Sequence, residues 1–226
     1  MNIAIIPARG GSKRIPRKNI RSFLGKPIIS YSIEAAIKSK IFEKIIVSTD
    51  DEEIADISKE YGAETPFIRP TEISDDYTGT HEVIGHAVSR LTEMGMDFEH
   101  VCSIYPTAPL IQKDDLIEGF NIIKSGHWES VFAATTFNYP ILRSFRKKKS
   151  GGLEMFFPEY YSSRSQDLPE ALHDAGQFYW AKPEIWMEKP KGFHDKATVV
   201  LLPNWRVIDI DNLEDWKKAE IIYKNL

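Results

Sequence analysis

Short apolar runs alternate along this chain with amphipathic segments. Asn2–Ala8 is apolar at almost every position, the pattern of a strand buried on both faces. Pro27–Ser39 places Ile29, Ile33, Ala36 and Ile37 at helical spacing, behind a proline that suits a first helical turn. Lys44–Thr49 predicts a second strand, Asp51–Tyr61 a helix stopped by Gly62, and Thr65–Ile68 a short strand. Thr80–Glu93 sets Val83, Ala87, Val88 and Leu91 on one helical side. His100–Tyr105 predicts a strand, Lys113–Ser125 a helix closed by Gly126, and Ser130–Thr136 another strand. After a break, Gln177–Ala181, Thr198–Leu202 and Val207–Ile210 read as strands and Asn212–Tyr223 as a closing helix. Strand–helix alternation of this kind predicts an α/β fold, a mostly parallel sheet with helices on both faces. Ligands of such sheets sit outside the carboxyl ends of the strands.

The rhythm fails between residues 138 and 172. Tyr139–Pro140, a basic run from Arg143 to Lys149, Ser150–Gly151–Gly152 and aromatics from Phe156 to Tyr161 follow one another without a helical period. The stretch is too long for an ordinary loop. It predicts a protruding arm whose aromatics are covered by a partner subunit.

Composition narrows the classes. At 226 residues the chain fits one domain with a full core, here 1–226 with the arm inserted. A net charge of −4 excludes a generally basic nucleic-acid binder and leaves room for a local basic pocket. One cysteine, Cys102, excludes an internal disulfide and fits a reducing compartment. No apolar run approaches the roughly 20 residues of a membrane helix, and no basic region precedes the first apolar run. The expectation is a soluble, cytoplasmic protein without nucleic-acid or membrane partners.

Five segments could carry chemistry. Pro7–Asn19 directly follows the first strand and holds Gly10, Gly11 and five cations: Arg9, Lys13, Arg14, Arg17 and Lys18. Glycines allow close backbone approach, and fixed cations at a strand's carboxyl end make a polyphosphate cradle. Neither the Walker A nor the dinucleotide-binding glycine spacing is present. Asp209-Ile-Asp211 ends a predicted strand, where alternation puts both carboxylates on one side. Two carboxylates suit Mg²⁺, and capping of the final helix by Asp211 or Asn212 is the equal alternative. Arg69–Thr80 is a polar loop leading into a helix that Thr80 could cap. On its own terms it is a surface loop. Tyr105–Leu110 carries two prolines at the end of a central strand, which suits a stiff ligand loop or a plain turn. Arg164–Pro169 and His173–Tyr179 hold a His173–Asp174 neighbour pair, an arrangement most often found at the surface.

Together these segments resemble the cytidylyltransferases that activate nine-carbon acidic sugars. Ile6–Asn19, IPARGGSKRIPRKN, is similar to the family's nucleotide-binding opening. Arg69-Pro70 with Ser74-Asp75, Tyr105–Leu110, Gln166–Pro169 with Ala175–Tyr179, and Ile208–Asp211 resemble the later family motifs, in order along nearly the whole chain. SKRIPRKN and Asp174–Trp180 resemble the branch acting on pseudaminic acid, in place of the sialic-acid pattern SKGIxxKN and NGAIY. Tyr105 replaces a family glutamine, and Ser165 separates Arg164 from Gln166.

The resemblance implies a Rossmann-like nucleotidyltransferase sheet and CMP transfer from CTP to a sugar acid, with Mg²⁺ as cofactor and pyrophosphate as the second product. It implies that Ala8, Arg9, Gly10, Gly11, Ser12, Lys13, Lys18, Asn19, Arg69 and Thr80 line the nucleotide, with Arg69 and Thr80 at the cytosine. Asp209 and Asp211 would hold the metal, and Arg9, Lys13 and Asp209 would act in catalysis, with Asp209 as base or a metal-activated sugar hydroxyl as the alternative. Tyr105, Arg164, Gln166, His173, Gln177 and Tyr179 would meet the sugar, with Arg164 the cation for its carboxylate. The arm at about 138–172 would form a homodimer, and the product would feed glycosylation of surface structures such as flagellin. Other sugar acids (sialic, legionaminic, octulosonic), a D-x-D glycosyltransferase and a non-catalytic nucleotide-binding module remain the alternatives.

Overall fold

The computed structural model describes residues 1–189, 192 and 194–226. In chain order its elements begin β1 (Asn2–Pro7), β2 (Ser22–Phe23), β3 (Lys26–Pro27), α1 (Ile28–Ser39), β4 (Lys44–Ser48), α2 (Glu52–Glu60) and α3 (Thr80–Glu93). There follow β5 (His100–Ile104), α4 (Lys113–Lys124), β6 (Ser130–Thr136), β7 (Phe145–Lys147), β8 (Leu153–Met155) and β9 (Leu172–Ala181). The chain closes with α5 (Pro183–Met187), β10 (Ala197–Leu201) and α6 (Leu213–Tyr223).

A six-stranded sheet runs in the order β10-β6-β9-β5-β1-β4. β1 pairs in parallel with β4 and β5, and β10 in parallel with β6. β9 lies antiparallel between β5 and β6. The register explains this direction. The chain leaves β6 at Thr136 and returns at Leu172 directly opposite it, so β9 enters from the carboxyl end and must run back down.

Strand alternation sorts the core onto two faces. Ala4 and Ile6 of β1 join a cluster with Ile33 of α1, Ile54 of α2 and Leu116 of α4. Ile3 and Ile5 point the other way, toward Ile84 and Val88 of α3 and Trp186 of α5. Covered on both faces, β1 has no polar side to show, which is why its sequence does not alternate. Gly119 lets α4 lie close on the sheet: a Cβ there would stand 2.8 Å from the Trp180 ring.

A third cluster joins Phe23, Ile28, Tyr31, Ile210 and Trp216. It seats α6 beside β2 and the start of α1. Here the structure corrects one expected strand. Val207–Ile210 is in no sheet; its anchor is Ile210, 1% exposed in that cluster. Pro203 and a 3-10 turn at Asn204–Arg206 lead the chain off β10 before it reaches that anchor. Thr65–Ile68 likewise forms no strand, and single parallel bridges at Glu64 and Ile68 line it along β4.

Candidate functional site

A polar cleft of about 340 Å³ opens at the carboxyl ends of β1 and β5, where Pro7, Tyr105 and Pro106 form part of its wall. Three separate segments close it: Arg9–Asn19 after β1, Arg69–Thr80 before α3, and Asp209–Asp211 before α6. The switch of chain direction at such strand ends leaves a crevice that helices cannot fill.

Internal hydrogen bonds fix the first loop. Ala8 N–H donates to Ser48 O at 2.9 Å, and Gly10 N–H donates to Asp50 Oδ1 at 3.0 Å. Asn19, 5% exposed, donates from Nδ2 to Arg9 O at 2.9 Å and ties the loop's end to its start. Gly10 is required for close approach, because a Cβ would lie 2.6 Å from Asp51 Oδ2. Neither Gly10 nor Gly11 takes a left-handed backbone; in this loop that conformation falls on Arg17, at φ 55°. Its guanidinium grips Asp51 with both Nη atoms, holding the Asp51 carboxyl below the usual carboxylate range. Asp51 also caps α2 by accepting from Ile54 N–H at 3.0 Å, so one carboxylate locks loop and helix together.

The cations of this loop already hold anions. Arg9 meets Asp76 at 2.9 Å and also donates to Asp75 O, while Lys13 pairs with the other Asp76 oxygen. A single carboxylate thus straddles two cations, as a phosphate would. Arg69 is 3% exposed and donates to Ser48 O at 3.0 Å and Ser74 Oγ at 2.9 Å. Burial pushes its pKa down, with Asp50 opposing the shift. Arg69 therefore anchors the second loop to β4.

Asp209 and Asp211 both face the cleft, because Ile210 between them is pinned in the third cluster. Lys18 donates to Ile210 O at 2.8 Å, and Arg14 meets Asp211 at 2.6 Å. Desolvation, and then the Asp211 charge, push the Asp209 pKa up. Burial likewise lowers that of Lys18. The helix-capping alternative divides between neighbours. Asn212 Oδ1 accepts from Glu214 and Asp215 N–H at 2.8 and 3.1 Å, leaving both acidic side chains for the cleft. Thr80 does not cap α3. Gly79 holds that position, and Thr80 Oγ1 instead lies 3.3 Å from Tyr105 OH.

The residues expected at the sugar divide. Tyr105 lines the cleft and packs on Tyr179 with ring centroids 5.4 Å apart. Tyr179 OH donates to Asp174 at 2.8 Å, and burial raises its pKa far above the ordinary phenol value. Gln177 is 2% exposed; its Nε2 lies 3.4 Å from Arg206 O and its Oε1 is buried without a partner. Arg164, Gln166 and His173 stand outside the cleft. Arg164 pairs with Asp167 at 2.6 Å, and Gln166 lines a separate hollow with Phe137 and Leu168. His173 packs on Phe137 at 4.7 Å. These three sit on or beside the arm, so a compact cleft in one copy of the chain does not gather them.

Sequence reasoning named Arg14, Ser74 and Asp75 only as parts of their segments and gave Asp76 no role, yet all four line the cleft. The adjacent acids of the second loop were the available signal, since they oppose the cations of the first. An apolar cavity of about 200 Å³ lies apart from the cleft, behind Tyr179, lined by Phe132, Ile185 and Trp186.

Among the described residues no cluster of three His, Cys, Asp or Glu could cage a metal. None of the described helices is long and apolar enough to cross a membrane.

The family model described as cytidylyltransferase matches residues 3–136. The pseudaminic acid cytidylyltransferase of Campylobacter jejuni is 46% identical over 223 residues, covering 99% of this chain and 96% of that one. The N-acylneuraminate cytidylyltransferase of Escherichia coli is 31% identical over 218 residues, 96% of this chain and 51% of its own length. A solved CMP:2-keto-3-deoxy-manno-octonic acid synthetase, complexed with CTP, shares the fold at a TM-score of 0.73 and 13% identity. It is covered over 99% of its length, and this chain over 100%. With the family model over more than half its length and a full-length relative at 46% identity, this chain belongs to the cytidylyltransferase family.

Proposed function

We propose that this cytidylyltransferase transfers CMP from CTP to the anomeric hydroxyl of pseudaminic acid. The observation that carries the substrate is the 46% identity to the Campylobacter jejuni enzyme over almost both full lengths. The hydroxyl oxygen attacks the α-phosphorus, the bond to the β-phosphate oxygen breaks, pyrophosphate leaves, and the hydroxyl proton passes to solvent or a nearby base.

The cleft's own groups divide this work. Arg9, Ser12 and Lys13 bind the triphosphate, Lys13 from the cleft's rim. Lys18 and Asn19 hold the loop in shape beneath it. Arg69 and Thr80 shape the cytosine end. Such a reaction depends on fixed position and charge neutralisation. Asp209 and Asp211 fit Mg²⁺, which takes one or two protein carboxylates and completes its shell with water and phosphate. The raised Asp209 pKa marks a crowded acid pair that a divalent cation would relieve. Held by Asp209 and Asp211, a divalent cation would supply charge neutralisation at the phosphates. The arm supplies the contact between two copies in a homodimer.

The test is pyrophosphate release with CTP and Mg²⁺, offering pseudaminic acid and N-acetylneuraminic acid in parallel. Release with pseudaminic acid alone is expected. Release with the sialic acid instead would replace the substrate and keep the reaction. Silence with both would overturn the proposal.

A further inference from the structure

The proposed reaction sets a condition on the cleft. In a 2-keto sugar acid the carboxylate is bonded to the same carbon as the attacking hydroxyl. That carboxylate must therefore approach the α-phosphate within a few bond lengths. A fixed cation is needed beside the Asp209–Asp211 pair, and a guanidinium's planar fork matches a carboxylate.

Four cations line the cleft: Arg9, Arg14, Lys18 and Arg69. Arg69 is buried, bonded to Ser48 and Ser74, and already faces the Asp50 carboxylate at 3.6 Å. Lys18 is held below the acid pair on Ile210 O. Arg9 stands with Lys13 around Asp76. Arg164 is tied to Asp167 at 2.6 Å outside the cleft. Arg14 remains. Its Nη1 meets Asp211 Oδ2 at 2.6 Å, and its side chain is 67% exposed. A guanidinium carries five donors, so this one contact aims Arg14 at the acid pair and leaves others for a second acceptor.

We propose that Arg14 binds the carboxylate of the sugar acid. The proposal rests on the reaction assigned above. The sugar is thereby placed against the first loop, between Arg14 and the Tyr105 wall, within one copy of the chain.

The test compares wild type with Arg14→Ala and Arg14→Lys, both expected to fold because the side chain is exposed. Loss of a charge-assisted contact should raise the KM for pseudaminic acid about tenfold to a hundredfold in Arg14→Ala. The KM for CTP should stay within about twofold, and Arg14→Lys should recover part of the loss. Calorimetric titration gives a readout apart from turnover. Pseudaminic acid and its C1 carboxamide are titrated into enzyme loaded with cytidine 5′-(α,β-methylene)triphosphate. Wild type should prefer the acid, and Arg14→Ala should bind acid and amide alike. An unchanged preference, or a rise confined to the KM for CTP, would overturn this role while leaving the reaction standing. A wild type that turns over no 2-keto acid would overturn both.

Discussion

At the residue scale the acid pair governs the cleft. Asp209 and Asp211 are two residues apart, and Ile210 between them is buried. Their shared orientation was legible in the sequence from alternation alone. The anchor was not, because Ile210 clusters with Phe23, Ile28 and Tyr31, which are distant in sequence. A carboxyl whose pKa is raised by desolvation and a neighbouring carboxylate binds its proton more tightly folded than unfolded. Metal-free stability must then fall as pH rises from the ordinary carboxylate value through the raised one. Carboxyl NMR titration in chelator should place Asp209 above an ordinary aspartate. Asp211→Asn removes the like charge and should move it down. A titration unchanged by that substitution would show that Asp211 does not act on Asp209.

At the scale of elements, the two loops over the cleft are matched by charge. The loop after β1 brings cations, and the loop before α3 brings Asp76, which sits between Arg9 and Lys13. Hydrogen bonding from Lys13 holds the Asp76 carboxyl below the usual range, so it is ionised at neutral pH. Incoming triphosphate must take both cations from this carboxylate. Asp76→Asn should therefore lower the KM for CTP by about two- to fivefold, the scale of an exposed ion pair. The gain should fade in high salt, where such pairs are screened. A KM that rises would mean that Asp76 aligns the cations for the nucleotide. The basic loop was legible because its cations are dense and follow a strand. The acidic loop read as mere surface because its meaning lies in a partner more than sixty residues away.

At the scale of the molecule, the helices and the buried strands were readable from periodicity. The direction of β9 was not, since apolar alternation is the same read either way; only the register at Thr136 and Leu172 sets it. The excursion between them leaves a hairpin, β7 and β8, whose Phe145, Leu153 and Met155 share one face with Tyr161 nearby. Phe145 is 61% exposed and Leu153 67%, on strands of three residues each. A two-stranded ribbon of this length is not stable alone in water, and its apolar face calls for a cover. In the proposed homodimer a second copy of the chain would supply one, and would also cover the hollow that holds Gln166. Light scattering should give twice the 25.9 kDa chain mass. Phe145→Glu with Leu153→Glu should halve it without unfolding the sheet, whose core these residues do not enter. A monomeric wild type would leave the arm without its proposed role.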